Sequence, residues 1–153
     1  MFEINNSVFS KVFWITLLFK QNKWHKYGVL LHTLKVVYGV IKAQDYRFLA
    51  AALFHDVGKP SVAYQDDEDI FTGEYSFTDH EEKSYQIVKN WPFLSDWTKE
   101  VIRYHYIIRD IKNSKRKGRF ARLVRLEEAY SKLDDEFIKD LEIFLRYDDY
   151  GKS

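Results

Sequence analysis

The sequence predicts an all-α, single-domain helical bundle of about seven helices, with one long loop or short hairpin in its first half. Three observations carry this prediction. Apolar residues recur at three- and four-residue spacings through most of the 153 residues. Asn, Ser or Asp stands just before most of these stretches, where a helix N-cap belongs. Strand-like alternation is confined to one stretch, within residues 61–78. The length suits one domain with a real core, and no repeat, linker or low-complexity segment divides it.

The elements follow in order. Asn5, Asn6 and Ser7 offer caps for a first helix reaching about residue 20, with Val8, Val12, Ile15 and Phe19 as its buried stripe. A polar and aromatic connector leads to a second helix over about residues 29–42. Its apolar positions Leu30, Leu34, Val37 and Ile41 share one face, and His32 lies off the densest part of it. Asp45 caps a third helix over residues 46–56, which Gly58 and Pro60 stop. Residues 61–78 hold the acidic run Asp66-Asp67-Glu68-Asp69 and a Gly73 between short alternating aromatic segments. That pattern suggests a loose hairpin or an ordered loop, placed as a lid would be. The acidic run lacks the ligand spacing of a calcium loop and reads as a solvated turn. Asp79 caps a helix over residues 80–89. Ser95 caps one over 96–108, with Trp97, Val101, Ile102 and His105 on neighbouring turns. A basic linker covers residues 109–119. The next helix covers 119–132, with Leu123, Leu126 and Tyr130 inward. Asp134 or Asp135 caps the last, reaching about residue 150, with Phe137, Leu141, Phe144 and Leu145 inward.

Composition narrows the function. There is no Cys, so a metal site must use His, Asp, Glu and water. The 24 Lys and Arg nearly balance the 23 Asp and Glu, so no global field draws the protein to nucleic acid. Residues 12–19 are apolar but bounded by Lys11 and Lys20, far short of the roughly 20 residues a membrane span needs. No membrane association is expected, and with no Cys and no signal peptide the expected location is cytoplasmic. The sequence assigns no oligomeric state.

The stretch Phe54-His55-Asp56-Val57-Gly58-Lys59 places an imidazole and a carboxylate side by side where an apolar helix ends. Taken alone, the pair reads as a core histidine beside an ordinary helix-end carboxylate. It is not alone. His32, His55, His80 and His105 are separated by 23, 25 and 25 residues, about one helix plus one connector each time. Asp148 and Asp149 follow on the last helix. Metal sites in helical bundles are built this way, from inward side chains on facing helices. Imidazole and carboxylate donors suit a divalent ion, among Mn, Ni, Co, Mg, Fe and Zn. The fifth histidine, His25, sits in a connector beside Trp24, at a site rim or in a structural role.

The order His, then His-Asp, then a distant Asp resembles the signature of the HD-domain metal-dependent phosphohydrolases. The resemblance extends further. Trp24-His25-Lys26-Tyr27-Gly28, His32-Thr33-Leu34, Leu53 to Pro60, Phe77 to Ser84 and Asp148-Asp149-Tyr150-Gly151-Lys152 are similar to blocks of the HD domain of bacterial tRNA nucleotidyltransferases. It covers roughly residues 21–152. The 20 residues before Gln21 are too few for those enzymes' transferase domain, so nucleotide addition is not expected.

The resemblance implies His32, His55, Asp56 and Asp148 as metal ligands, selecting Asp148 over Asp149. It implies a metal-activated water attacking phosphorus. Asp56 and Lys59 are then catalytic, with Lys59 neutralising the phosphate; a helix C-terminal cation is the plain alternative. His80 and His105 are expected as site residues, either holding a second metal or lining the pocket as phosphate contacts or acid. Asp79 or Glu81 can orient His80, or Asp79 simply caps its helix. The implied substrates are phosphoesters of nucleotides or RNA ends, through 2′,3′-cyclic phosphodiesterase, phosphatase or nucleotidase action. The alternative is a non-catalytic, metal-stabilised module binding RNA, a nucleotide or a protein partner. Lys112, Lys115, Arg116, Lys117, Arg119, Arg122 and Arg125, with Arg103 and Arg109, form either an RNA-contacting rim or a solvated linker. Tyr104, Tyr106, Trp91 and Trp97 either stack a base or belong to the core.

Overall fold

The computed structural model describes residues 11–18, 22–23 and 27–153, apart from the side chains of residues 12 and 13. His25, Trp24, Lys26, the proposed caps at residues 5–7, and Val8 and Phe19 of the first stripe lie outside the described residues. The described residues form ten α-helices and one 3-10 turn, with no strand among them. They run α1 (Lys11–Leu18), α2 (Val29–Lys42), the 3-10 turn (Tyr46–Phe48), α3 (Leu49–Phe54), α4 (Lys59–Val62) and α5 (Asp67–Thr72). Then come α6 (His80–Val88), α7 (Asp96–Tyr104), α8 (Ile107–Arg116), α9 (Phe120–Ser131) and α10 (Asp135–Tyr150). The all-α expectation holds, with three more helices than the pattern predicts.

Helices α2, α3, α7 and α10 surround the core. Helix α2 packs on α3 and α10, α3 on α7, and α10 closes against α7, while α8 pairs with α9 to one side. The fully buried centre is Val36, Val40, Phe48, Ala51, Ala52, Val101, Ile102 and Phe144. Phe48 sits among Trp97, Phe144 and Tyr147 with ring centroids 5.1, 5.7 and 5.8 Å away. Trp91 and Trp97 pack against this core rather than standing free.

Several local expectations need correction. The buried face of α2 is Val29, His32, Val36, Gly39 and Val40; Leu30, Leu34 and Ile41 are exposed. This helix is apolar nearly all round, so its pattern could not say which face turns inward. Ile15 of α1 is exposed too, and Thr16 is buried instead. The third helix ends at Phe54, not Asp56. Pro60 opens α4 rather than stopping a helix, in the first turn where its missing N–H costs nothing.

Residues 109–119 are no linker. Helix α7 breaks at His105-Tyr106, and α8 carries the chain on to Arg116, where Gly118 at φ 65° turns it. Ile107, Asp110 and Ser114 form the buried side of α8, with Ile108 and Ile111 half-buried; two of the three buried residues are polar, so no apolar stripe marks the helix. The stretch after α4 has one antiparallel bridge, Tyr64 to Ser76, with α5 at its tip. The acidic run starts that helix: Asp66 accepts from the Asp69 N–H at 2.8 Å and Asp69 reaches back to the Asp66 N–H, a capping box.

The caps divide in the same way. Ser95 accepts from the Thr98 N–H at 3.1 Å, and Asp134, rather than Asp135, accepts from that of Phe137 at 2.8 Å. Asp45 and Asp79 make no capping bond. Asp79 takes a left-handed conformation, φ 58°, and its carboxylate accepts from Arg122 at 2.9 Å.

Gly58 is set by proximity, not by φ. A Cβ there would lie 2.6 Å from the Ser84 backbone nitrogen, because α4 and α6 meet at this point. The Gly58 N–H donates to Ser84 Oγ at 3.0 Å, fully buried. Ser84→Ala is expected to strand that N–H and cost about 1–3 kcal/mol, read as a lower urea midpoint at unchanged m-value.

Candidate metal centre

Helix ends build the site. The last carbonyls of a helix lack intrahelical donors. His55 follows α3 and donates Nδ1–H to the Ala52 carbonyl at 2.9 Å; His105 follows α7 and donates to Ile102 at 2.7 Å. His80 opens α6 and donates in the same three-back manner to Phe77 at 2.9 Å. With Nδ1 donating in all three rings, each Nε2 faces inward, as a lone pair in the neutral ring. This is the tautomer a metal ligand needs.

The inward atoms converge on Asp56. Its Oδ2 lies 3.4 Å from both His32 Nε2 and His55 Nε2, and its Oδ1 lies 3.4 Å from His80 Nε2 and 3.7 Å from His105 Nε2. His32 and His55 approach each other at 3.3 Å between Nε2 atoms. Asp148 Oδ1 comes in from α10, 3.0 Å from His32 Nε2 and 3.6 Å from His55 Nε2. All six side chains are buried. The expected ligands His32, His55, Asp56 and Asp148 are therefore brought together, with His80 and His105 on the other side of Asp56.

Lys59 turns back from the start of α4 and places Nζ 2.7 Å from Asp56 Oδ2. Neither Asp79 nor Glu81 fixes His80. Glu81 Oε2 is 3.2 Å from His80 Nδ1, but that nitrogen's proton goes to Phe77. Burial raises the Glu81 carboxyl to about 7. Tyr106, expected either to stack a base or to pack, lies with its ring centroid 5.2 Å from that of His80. Beneath the site, Phe144 contacts the His55 and His105 rings at 5.5 and 6.1 Å, joining it to the core.

Charge in the cluster is strongly coupled. Burial opposes ionisation of Asp56, but His55 and Lys59 outweigh it and hold the carboxyl well below the usual range. Asp148 is also lowered: burial is outweighed by hydrogen bonds with His32 and His55 and by the Lys152 charge. Burial alone would lower His55; Asp56 and Asp148 reverse this and raise it to about 9. Burial lowers His80, aided by the Lys59 charge, and lowers His105, aided by that of His55.

The residues fit a divalent ion. Donors around a cation with bonds of about 2.1 Å stand on the order of 3 Å apart, as these do. Neither Asp56 oxygen accepts a well-formed hydrogen bond although both are buried. Among the described residues two groups present such geometry, His32 with His55 and Asp56, and Asp56 with His80 and His105. Because a proton on His55 competes with the ion, affinity is expected to rise with pH. The stabilisation from protonated His55 between its carboxylates is complete below about pH 6.5 and lost as pH rises through about 9. Titrating metal-stripped protein with Mn²⁺ between pH 6.5 and 9 should therefore show tightening of up to about tenfold per unit.

Of the basic residues, Arg103, Arg109, Lys115 and Arg122 form ion pairs with Glu82, Asp149, Glu127 and Asp110. Lys112, Arg116, Lys117, Arg119 and Arg125 make none among the described residues, Arg116 bonding only the Asn113 amide oxygen. One residue went unassigned at the sequence level. Lys152 Nζ lies 2.6 Å from Asp148 Oδ2, and its position four residues after Asp148, at a helix end, was the available signal.

The HD domain family model matches residues 29–144, about three-quarters of the chain. Searches of curated proteins and of solved structures find no match. The chain belongs to the HD domain family, a family of metal-dependent phosphohydrolases. No helix among the described residues is long and apolar enough to cross a membrane.

Proposed function

We propose that this HD-domain protein is a metal-dependent phosphohydrolase acting on phosphoesters of nucleotides or RNA ends. The observation that carries this reading is Asp56. Each of its buried oxygens faces two imidazole Nε2 atoms, and Lys59 stands against one of them.

His32, His55, Asp56 and Asp148 would hold the ion. An all-imidazole and carboxylate set suits Mn, Fe, Co, Ni or Zn better than Mg, which prefers oxygen. A divalent ion bound there would polarise a phosphoryl oxygen and acidify water. Lys59 carries a buried positive charge beside that position, where charge on a phosphoryl group develops. His80 and His105 are held neutral by burial, and their Nδ1 protons are engaged by backbone carbonyls. Their Nε2 atoms thus accept rather than donate, which favours holding a second ion over protonating a leaving group. Tyr106 provides a wall beside His80.

The likeness to the HD domain of tRNA nucleotidyltransferases orders the assays: 2′,3′-cyclic nucleotides and RNA-end phosphates first, then nucleoside monophosphates. The unpaired cations Lys112, Arg116, Lys117, Arg119 and Arg125 are the candidate RNA contacts. Metal-stripped protein should be inert on this panel, and Mn²⁺, Co²⁺ or Ni²⁺ should restore turnover. If protein carrying bound metal turns over no phosphoester, the non-catalytic module that binds RNA, a nucleotide or a protein partner is the better account.

A further inference from the structure

Asp148 divides its two oxygens. Oδ1 faces His32 and His55 at 3.0 and 3.6 Å, while Oδ2 accepts from Lys152 Nζ at 2.6 Å. The same ammonium donates to Asp149 Oδ1 at 3.0 Å. That Asp149 oxygen also accepts from Arg109 on α8. Asp148 is 5% exposed at its side chain, Lys152 13% and Asp149 50%, so the chain of contacts runs from the surface into the buried cluster. The backbone brings Lys152 there by a close approach. A Cβ on Gly151 would lie 2.5 Å from Val36 Cγ2 and 2.9 Å from two atoms of the His32 ring.

We propose that Lys152 is a positioning residue for the metal centre: anchored by Asp149 and Arg109, it captures Asp148 Oδ2 so that Oδ1 alone is presented to the ion. This rests on the metal-centre reading above. A free aspartate side chain would rotate and offer either oxygen or both. Capturing one oxygen removes that freedom before the ion arrives, and loss of such outer partners typically weakens metal binding. A plain counter-ion role makes the opposite forecast, because an ammonium beside a cation site repels the cation. The two roles also differ at Asp149. Removing its charge weakens cation binding under either role, but only the positioning role makes that loss depend on Lys152.

The test is Mn²⁺ binding to the metal-stripped full chain, with free Mn²⁺ followed by electron paramagnetic resonance. Lys152→Met is expected to weaken binding about tenfold or more, with Lys152→Arg retaining more affinity than Lys152→Met. Asp149→Asn, whose side chain is half exposed, is expected to weaken it less. The double variant should lose less than the sum of the two single losses, since both substitutions break one chain of contacts. Lys152→Met binding Mn²⁺ as tightly as the wild type, or more tightly, overturns the proposal and marks Lys152 as a counter-ion. Additive losses in the double variant overturn the link through Asp149. Wild-type protein that takes up no Mn²⁺ refutes the metal centre itself, a result distinct from either.

Discussion

Asp56→Ala is expected to abolish turnover, by at least about 10³-fold, and to weaken both ligand groups, leaving His32, His55 and Asp148 on one side and His80 and His105 alone on the other. The expectation follows from the two-sided role of this carboxylate, with Oδ2 toward His32 and His55 and Oδ1 toward His80 and His105. Among the described residues no side chain supplies a substitute oxygen on the His80 side, where Glu81 stands against Nδ1 rather than Nε2. Removing Asp56 also strands the buried Lys59 ammonium and the His55 charge. Breaking a buried pair in this way costs about 3–5 kcal/mol, less whatever is recovered by losing protons. Asp56→Asn keeps the side-chain volume and separates the two effects. It should melt closer to wild type than Asp56→Ala while remaining equally inactive. Hydrolysis that persists in a folded Asp56→Asn protein would sink the mechanism.

Gly58→Ala is expected to have the next largest effect, despite adding a single methyl group. The new carbon would meet the Ser84 backbone nitrogen at 2.6 Å and Lys83 carbons at 2.9 Å. Backbone cannot rotate aside as a side-chain tip can, so α4 must separate from α6. Overpacking of this kind costs about 1–3 kcal/mol. Gly58 lies between Asp56 and Lys59, so the same shift moves both against His80. A displacement of roughly 1 Å in such a site lowers rate about 10²-fold. Steady-state kinetics beside urea unfolding should show the rate loss exceeding what the remaining folded fraction explains. A Gly58→Ala protein with wild-type kcat would show that the α4–α6 contact does not position the site.

The legible part of the site was what lies in chain order. His32, His55-Asp56, His80, His105 and Asp148 come from separate helices, so their spacing reports the bundle, and each reaches the cluster. The helix-end position of His55 was legible too, though not its consequence, the Nδ1 bond to Ala52 that fixes the tautomer. What stayed hidden depends on contacts between distant segments. The sequence pattern sets His32 off the apolar stripe because α2 is apolar on both sides, and only packing against α3 and α10 selects the inner face. Gly58 resembled a helix stop, yet its φ is −81°, and the need for glycine comes from Ser84, 26 residues away. Helix α8 was concealed by its own charge, much of which is neutralised by partners on other helices, such as Arg122 reaching Asp110 from α9.

Whether His32, His55, Asp56 and Asp148 hold a divalent ion can be seen in a crystal. Anomalous scattering at the manganese edge, from crystals grown with Mn²⁺, tests it most directly. The account predicts an anomalous peak bounded by His32 Nε2, His55 Nε2, Asp56 Oδ2 and Asp148 Oδ1. A site without a peak, with manganese found only at exposed carboxylates such as those of residues 66–69, would contradict it.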